Sequence, residues 1–131
     1  MPVVLGEILT AMVTPFKADG SVDIERFRAL ATFLVENGSD GVVVTGTTGE
    51  SPTLSDEERI ALWEAAVDEV GDRASVVAGT GTYSTEYSVQ LTERAHEAGV
   101  DAFLVVTPYY NKPPVRGIVE HFRAVAAVSD R

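Results

Sequence analysis

The hydrophobic pattern of the chain alternates between two kinds of segment. Short apolar runs, which predict buried β-strands, occupy residues 8–13, 42–44, 75–78 and 102–106. Each is followed by a longer segment in which apolar residues recur at helical spacing, at residues 24–35, 60–70, 91–98 and 118–126. The order strand, helix, four times over, with no hairpin signal, predicts an α/β fold with parallel strands.

The ends of the predicted helices carry matching signals. Asp23 is placed to cap the first helix and Gly38 to end it, while Ser55 and Glu58 stand at capping-box spacing before the second. A glycine–aspartate spacing also recurs before two strands, at residues 38–41 and 99–102. It is explained equally well by duplication within a barrel and by two helix-to-strand turns with the same chemistry.

Composition limits the function classes. The chain has 131 residues, 10 basic against 20 acidic, and a formal net charge of −10, so it lacks the positive field that collects nucleic acid or anionic membranes. It has no cysteine and no apolar run of membrane-spanning length, and its first residues do not resemble a signal peptide. We expect one domain over residues 1–131, located in the cytoplasm, without nucleic-acid or membrane partners.

Candidate chemistry lies just after the predicted strands, where α/β proteins gather their reactive groups. Gly46-Thr47-Thr48-Gly49 places two hydroxyls between glycines, which favours an anion site on exposed backbone amides. We interpret Thr14, Thr45 and Thr80 as strand-ending residues, and Gly79-Thr80-Gly81 as a weaker signal. The two histidines fall within predicted helices, and their spacing indicates no metal site.

Two motifs carry a family resemblance. Gly46-Thr47-Thr48-Gly49-Glu50-Ser51, together with the stretch from Val106 to Pro113 that contains Tyr109-Tyr110-Asn111-Lys112, resembles dihydrodipicolinate synthase, also called 4-hydroxy-tetrahydrodipicolinate synthase. The resemblance implies a TIM (β/α)8-barrel fold, of which this chain covers the first four βα units as a half barrel. A closed barrel typically needs roughly 250 residues.

The resemblance also implies an activity. Members are class I aldolases in which a lysine Schiff base of pyruvate attacks L-aspartate 4-semialdehyde, on the route to diaminopimelate and lysine, with no metal or organic cofactor. By motif position, Thr48 would bind the pyruvate carboxylate, whereas Thr47 and Tyr110 would belong to a proton relay. The tyrosine would reach a neighbouring subunit's site, so we expect a homo-oligomer. The alternatives are another pyruvate-dependent aldolase, of the N-acetylneuraminate lyase or sugar-acid type, and a non-catalytic flavodoxin-like binding domain.

The chain departs from the family in two respects. Its two lysines, Lys17 and Lys112, lie in polar turn and proline-loop contexts, whereas a Schiff-base lysine needs apolar burial or a cationic neighbour. We therefore expect the Schiff-base lysine to be missing and the chain to be inactive alone. Tyr83 and Tyr87 stand where lysine-sensitive members carry asparagine and glutamate, so we expect weak or no inhibition by lysine.

Overall fold

Four parallel strands and four helices alternate along the chain in this computed structural model, which describes residues 3–131. The strands are β1 (Leu9–Ala11), β2 (Gly41–Val44), β3 (Ser75–Gly79) and β4 (Ala102–Leu104). The helices are α1 (Ile24–Glu36), α2 (Asp56–Val70), α3 (Thr85–Glu97) and α4 (Val115–Ala126), and a short 3₁₀ helix spans Ser51–Thr53. The predicted order of elements is confirmed.

The strands lie in the sheet in sequence order, β1-β2-β3-β4, all parallel. Ala11 pairs with Val43, Val43 with Val77 and Val77 with Ala102, so one row of residues crosses the whole sheet. A flavodoxin-like sheet reverses direction in its strand order. This sheet has no reversal, so the flavodoxin-like alternative is wrong.

The helices cover one face of the sheet. Val42, Val44, Val76 and Ala78 belong to one buried core with Phe27 of α1, Leu62 and Trp63 of α2, and Leu91 of α3. Because side chains alternate along a strand, the row through Val43 and Val77 faces the other way. On that face Val43 and Val77 are 9% and 5% exposed, whereas Leu104 of the edge strand is 51% exposed, so the face is open at β4 and not over its centre.

The capping signals predicted for α1 and α2 are present. Asp23 accepts a hydrogen bond from the Arg26 amide, and Ser55 and Glu58 form a reciprocal capping box. The two glycine–aspartate turns use their aspartates in the same way. Asp40 Oδ2 accepts from the amides of Glu7 and Ile8, both at 2.8 Å, and these bonds lower the Asp40 pKa. Asp101 Oδ2 likewise accepts from the Val76 amide at 2.8 Å, so each aspartate ties the turn before its own strand to the start of the preceding strand.

Three elements differ from the sequence predictions. β1 and β4 are shorter than predicted, because within residues 3–131 each pairs on one side only and its outer residues lack a second ladder. α4 buries His121 and Val125, whereas Val119 of the predicted stripe is 41% exposed. In residues 3–131 no helix has the length and apolar character that crossing a membrane requires.

Candidate active site

The carboxyl ends of β2, β3 and β4 surround a cavity of about 310 Å³. The residues after β2 supply one wall, glycines at the end of β3 form the floor, and apolar residues of β4 and the loop beyond it form the opposite wall. The lining residues are Thr45, Gly46, Thr47, Ser51, Pro52, Gly79, Gly81, Leu104, Val106 and Tyr109. The cavity therefore lies where parallel α/β folds place their ligands.

The threonine loop, which we define as Thr45–Gly49, carries the predicted anion site. Thr47 lines the cavity and Thr48 follows it, and both are exposed. Within residues 3–131, neither their hydroxyls nor their amides donate a hydrogen bond. The two carbonyls on either side of the turn are occupied, since Gly46 O accepts from the Gly49 amide and Thr47 O from the Glu50 amide. Thr47 and Thr48 therefore keep unpaired amide and hydroxyl donors at this turn, which suits an anion.

The other threonines of this rim use their hydroxyls in hydrogen bonds within the fold. This agrees with their interpretation as strand-ending residues. Thr14 is buried and its Oγ1 donates to the Gly49 carbonyl at 2.7 Å, which fixes the far end of the threonine loop. Thr80 is fully buried and its Oγ1 accepts from Thr92 Oγ1 at 2.8 Å. The rim therefore has buried threonines whose hydroxyls bond the fold, Thr14 and Thr80, and exposed threonines whose hydroxyls are unpaired among the described residues, Thr47 and Thr48.

Thr45 begins the loop in an unusual conformation. Its φ is 56°, in the left-handed region that a β-branched side chain rarely adopts and that costs roughly 1–2 kcal/mol. Thr45 is 2% exposed, and its Oγ1 accepts from Trp63 Nε1 at 2.8 Å and donates to the Gly79 carbonyl at 3.0 Å. The strain is therefore held by contacts from α2 and β3.

Gly79 and Gly81 have a packing role. A Cβ on Gly79 would stand 2.3 Å from the Thr45 carbonyl oxygen, and one on Gly81 would stand 2.4 Å from the Val106 amide nitrogen. Glycine at these positions lets the backbones of three neighbouring strand ends approach one another. The Gly79-Thr80-Gly81 segment thus serves the packing of the strand ends.

Sequence reasoning missed Arg59, which is 3% exposed. Its guanidinium donates to Ser51 Oγ at 2.7 Å and to the Ser51 carbonyl at 2.5 Å, so it fixes the 3₁₀ helix that follows the threonine loop. A signal for it was present in the sequence. Arg59 precedes Trp63 by one helical turn and therefore shares the buried face of α2.

The tyrosine pair after β4 is divided between two environments. Tyr109 lines the cavity and packs edge-to-face on Tyr83, with ring centroids 5.4 Å apart. Tyr110 is not among the lining residues; it has a φ of 69° and is 92% exposed. The structure therefore brings Thr47 and Tyr109 to one cavity and leaves the Tyr110 ring in the open.

Neither lysine reaches this cavity. Lys17 is exposed in the turn between β1 and α1, and Lys112 is exposed in the loop between β4 and α4 with a φ of 45°. His96 Nδ1 bonds Ser129 Oγ at 2.9 Å, and His121 Nδ1 bonds Thr85 Oγ1 at 2.9 Å. In the part of the chain from residue 3 onward, no group of three or more potential metal ligands is found.

Comparison with known proteins identifies the family. The model of the dihydrodipicolinate synthetase family matches residues 4–131. The chain belongs to the dihydrodipicolinate synthetase family. A curated relative from Acidothermus cellulolyticus, named 4-hydroxy-tetrahydrodipicolinate synthase, is 55% identical over 125 residues, which are 95% of this chain and 41% of the relative. The chain thus spans about two fifths of the length of the curated relatives that it matches.

Solved structures of the family share the fold. A dihydrodipicolinate synthase from Bacillus anthracis superposes with a TM-score of 0.95 at 46% identity, over 98% of this chain and 44% of that one. The Acinetobacter baumannii enzyme, solved as a complex with pyruvate, superposes with a TM-score of 0.93 at 38% identity, over 97% of this chain and 44% of that one. These relatives are TIM barrels, and the four βα units described here have the architecture of a half barrel.

Proposed function

We propose that this chain carries the pyruvate-carboxylate subsite and part of the proton relay of a 4-hydroxy-tetrahydrodipicolinate synthase. The reaction would condense pyruvate with L-aspartate 4-semialdehyde in the synthesis of diaminopimelate and lysine. One observation carries the proposal: at the rim of the cavity, Thr47 and Thr48 keep free hydroxyls and free amides while their neighbours are bonded. Family membership and the pyruvate complex of the related A. baumannii enzyme support it.

The roles of individual residues follow from the motif positions. Thr48 would bind the pyruvate carboxylate through donors of the kind that its free amide and hydroxyl provide. Thr47, on the cavity wall, and Tyr110 would pass protons, because a hydroxyl both donates and accepts. A ring that is 92% exposed suits a tyrosine that reaches into a neighbouring subunit, so the proposal includes a homo-oligomer.

The nucleophile is the missing part. A Schiff-base lysine needs a pKa lowered by apolar burial or by a nearby cation. Lys17 and Lys112 are exposed and outside the cavity lining, so neither meets this condition. We therefore expect the 131-residue chain to bind pyruvate without forming the imine and to be inactive by itself.

The acceptor and the location are part of the same proposal. The relatives compared above are named for the synthase, which favours L-aspartate 4-semialdehyde over the acceptors of sugar-acid aldolases. The location proposed is the cytoplasm, which fractionation of cells producing the tagged chain would test.

Pyruvate titration followed by ¹H–¹⁵N NMR tests the subsite. We expect saturable shifts of the Thr47 and Thr48 amides, and their loss in Thr48→Val. Thr53→Val is the matched control, because it removes the same kind of hydroxyl just beyond the loop, from a residue whose hydroxyl already donates to the Glu50 carbonyl. Absence of any shift in the threonine loop of the unmodified chain, or equal loss of binding in both variants, would contradict the proposal.

A further inference from the structure

The hydrogen bonds around Thr45 run in one direction only. An indole N–H can donate but not accept, so the 2.8 Å contact makes Trp63 Nε1 the donor and Thr45 Oγ1 the acceptor. The single hydroxyl proton of Thr45 then goes to the Gly79 carbonyl, 3.0 Å away. The chain of donors from Trp63 through Thr45 to Gly79 has no alternative arrangement within these contacts.

This chain of hydrogen bonds acts on the residue that begins the threonine loop. Thr45 turns the backbone at the end of β2 with a φ of 56°, and Gly46 and Thr47 follow it on the cavity wall. The side chains that make these two hydrogen bonds are buried, since Trp63 is 0% and Thr45 2% exposed. Water cannot replace either hydrogen bond, so losing one would leave a buried polar group unpaired.

We propose that Trp63 and Thr45 are positioning residues for the anion subsite. The indole N–H of Trp63 orients the Thr45 hydroxyl, and that hydroxyl bonds β3. Together they hold the left-handed turn from which Thr47 reaches the cavity wall and Thr48 follows it. Neither residue needs to touch the ligand. The expected effect on pyruvate affinity rests on the proposed function, whereas the geometry of the loop can be measured without ligand.

Two variants test the indole donor and the threonine methyl group in turn, and the loss of core volume in Trp63→Phe is judged against Phe27→Leu below. Trp63→Phe keeps an aromatic ring but removes the donor, and Thr45→Ser keeps the hydroxyl but removes the methyl group. We expect Trp63→Phe to shift the ligand-free Thr47 and Thr48 amide signals and to weaken pyruvate binding about three- to tenfold, the scale of one hydrogen bond. Thr45→Ser should stay within about twofold of the unmodified chain on the same scale.

Thr45→Ala and the double variant test whether the two residues act together. If both work through the same chain of hydrogen bonds, Trp63→Phe added to Thr45→Ala should weaken binding no further than Thr45→Ala alone. Should Thr45→Ala fail to fold, the comparison of Trp63→Phe with Thr45→Ser still decides the matter.

Phe27→Leu is the control for general destabilisation. Phe27 is a core residue of α1, 1% exposed, and its replacement weakens the same hydrophobic core without touching the loop. All variants are compared where circular dichroism shows them folded. The positioning role is overturned if Trp63→Phe leaves the ligand-free loop signals unchanged, or if Phe27→Leu moves them equally. If pyruvate shifts no amide signal of the unmodified chain, the proposed function fails. The ligand-free amide signals of the variants still test the positioning role in that case.

Discussion

Replacing Gly79 by alanine tests whether the end of β3 is seated against the threonine loop. The new Cβ would lie 2.3 Å from the Thr45 carbonyl oxygen and 2.9 Å from the Gly46 amide nitrogen. Both atoms belong to the backbone, so the contact cannot be relieved by a side-chain rotation. Overpacking of this kind costs roughly 1–3 kcal/mol, and alanine recovers roughly 0.5–1 kcal/mol of the entropy that glycine loses on folding. A 2.3 Å contact with backbone lies in the upper half of the overpacking range, so we expect a net loss of about 1–2.5 kcal/mol in the free energy of unfolding.

Gly46→Ala is the matched control. Its Cβ would meet only the Val43 and Leu104 side chains, at 3.7 and 3.8 Å, which is ordinary contact distance. Urea unfolding followed by fluorescence of Trp63, the one tryptophan of the chain and fully buried, measures both variants. The Gly79→Ala midpoint should fall, together with a decrease in Tm of about 3–10 °C, while Gly46→Ala stays within about 0.5 kcal/mol of the parent. Equal stability of the two variants would refute the packing described here.

Three further predictions concern other side chains. Burial lowers the pKa of His121 below 6.5, so near that pH the unfolded chain binds a proton that the folded chain does not, and stability should fall as pH drops through about 6.5. His121→Gln should lessen this fall, measured by urea unfolding at pH 7.5 and 5.5. The same loss of stability between the two pH values in the variant and the parent would contradict the prediction. Arg59→Met should cost about 2–3 kcal/mol, because it removes two part-buried charged hydrogen bonds to Ser51 and a longer one to the Leu54 carbonyl. Arg26→Met, at an exposed side chain, should change stability by less than about 0.5 kcal/mol. Comparable losses in urea unfolding would argue against an anchoring role. L-lysine should bind weakly or not at all, because Tyr87 stands where the family resemblance implies a glutamate in lysine-sensitive members, and its hydroxyl donates to Asp56. Tight binding by calorimetry would refute this.

The sequence predicts the elements well where local chemistry decides them. The alternation of apolar runs, the Asp23 cap and the Ser55–Glu58 capping box all depend on residues close in the chain, and each is present in the structure. Strand order also follows, once the family resemblance gives the fold. The lengths of the edge strands could not be predicted in this way, because the length of β4 depends on how many neighbours it pairs with and not on its own apolar residues alone.

The exposed residues of the site could be predicted from the sequence, whereas the buried residues that hold the threonine loop could not. Gly46-Thr47-Thr48-Gly49 is contiguous, so its two free hydroxyls can be found by inspection. Arg59 acts on Ser51, and Trp63 acts on Thr45, across separations that no motif spans. Their roles exist only because α2 packs its buried face against the end of β2. A charged residue one turn before a buried tryptophan is the one local sign of this arrangement.

Borohydride reduction of the protein in the presence of pyruvate, read by intact mass and peptide mapping, tests the account most directly. It is done at a pyruvate concentration that saturates the amide shifts of Thr47 and Thr48. We expect those shifts with no reduced adduct, because the chain would bind the carboxylate while Lys17 and Lys112 stay exposed and outside the cavity lining. A specific adduct at either lysine would show that the chain supplies its own nucleophile and would contradict the account.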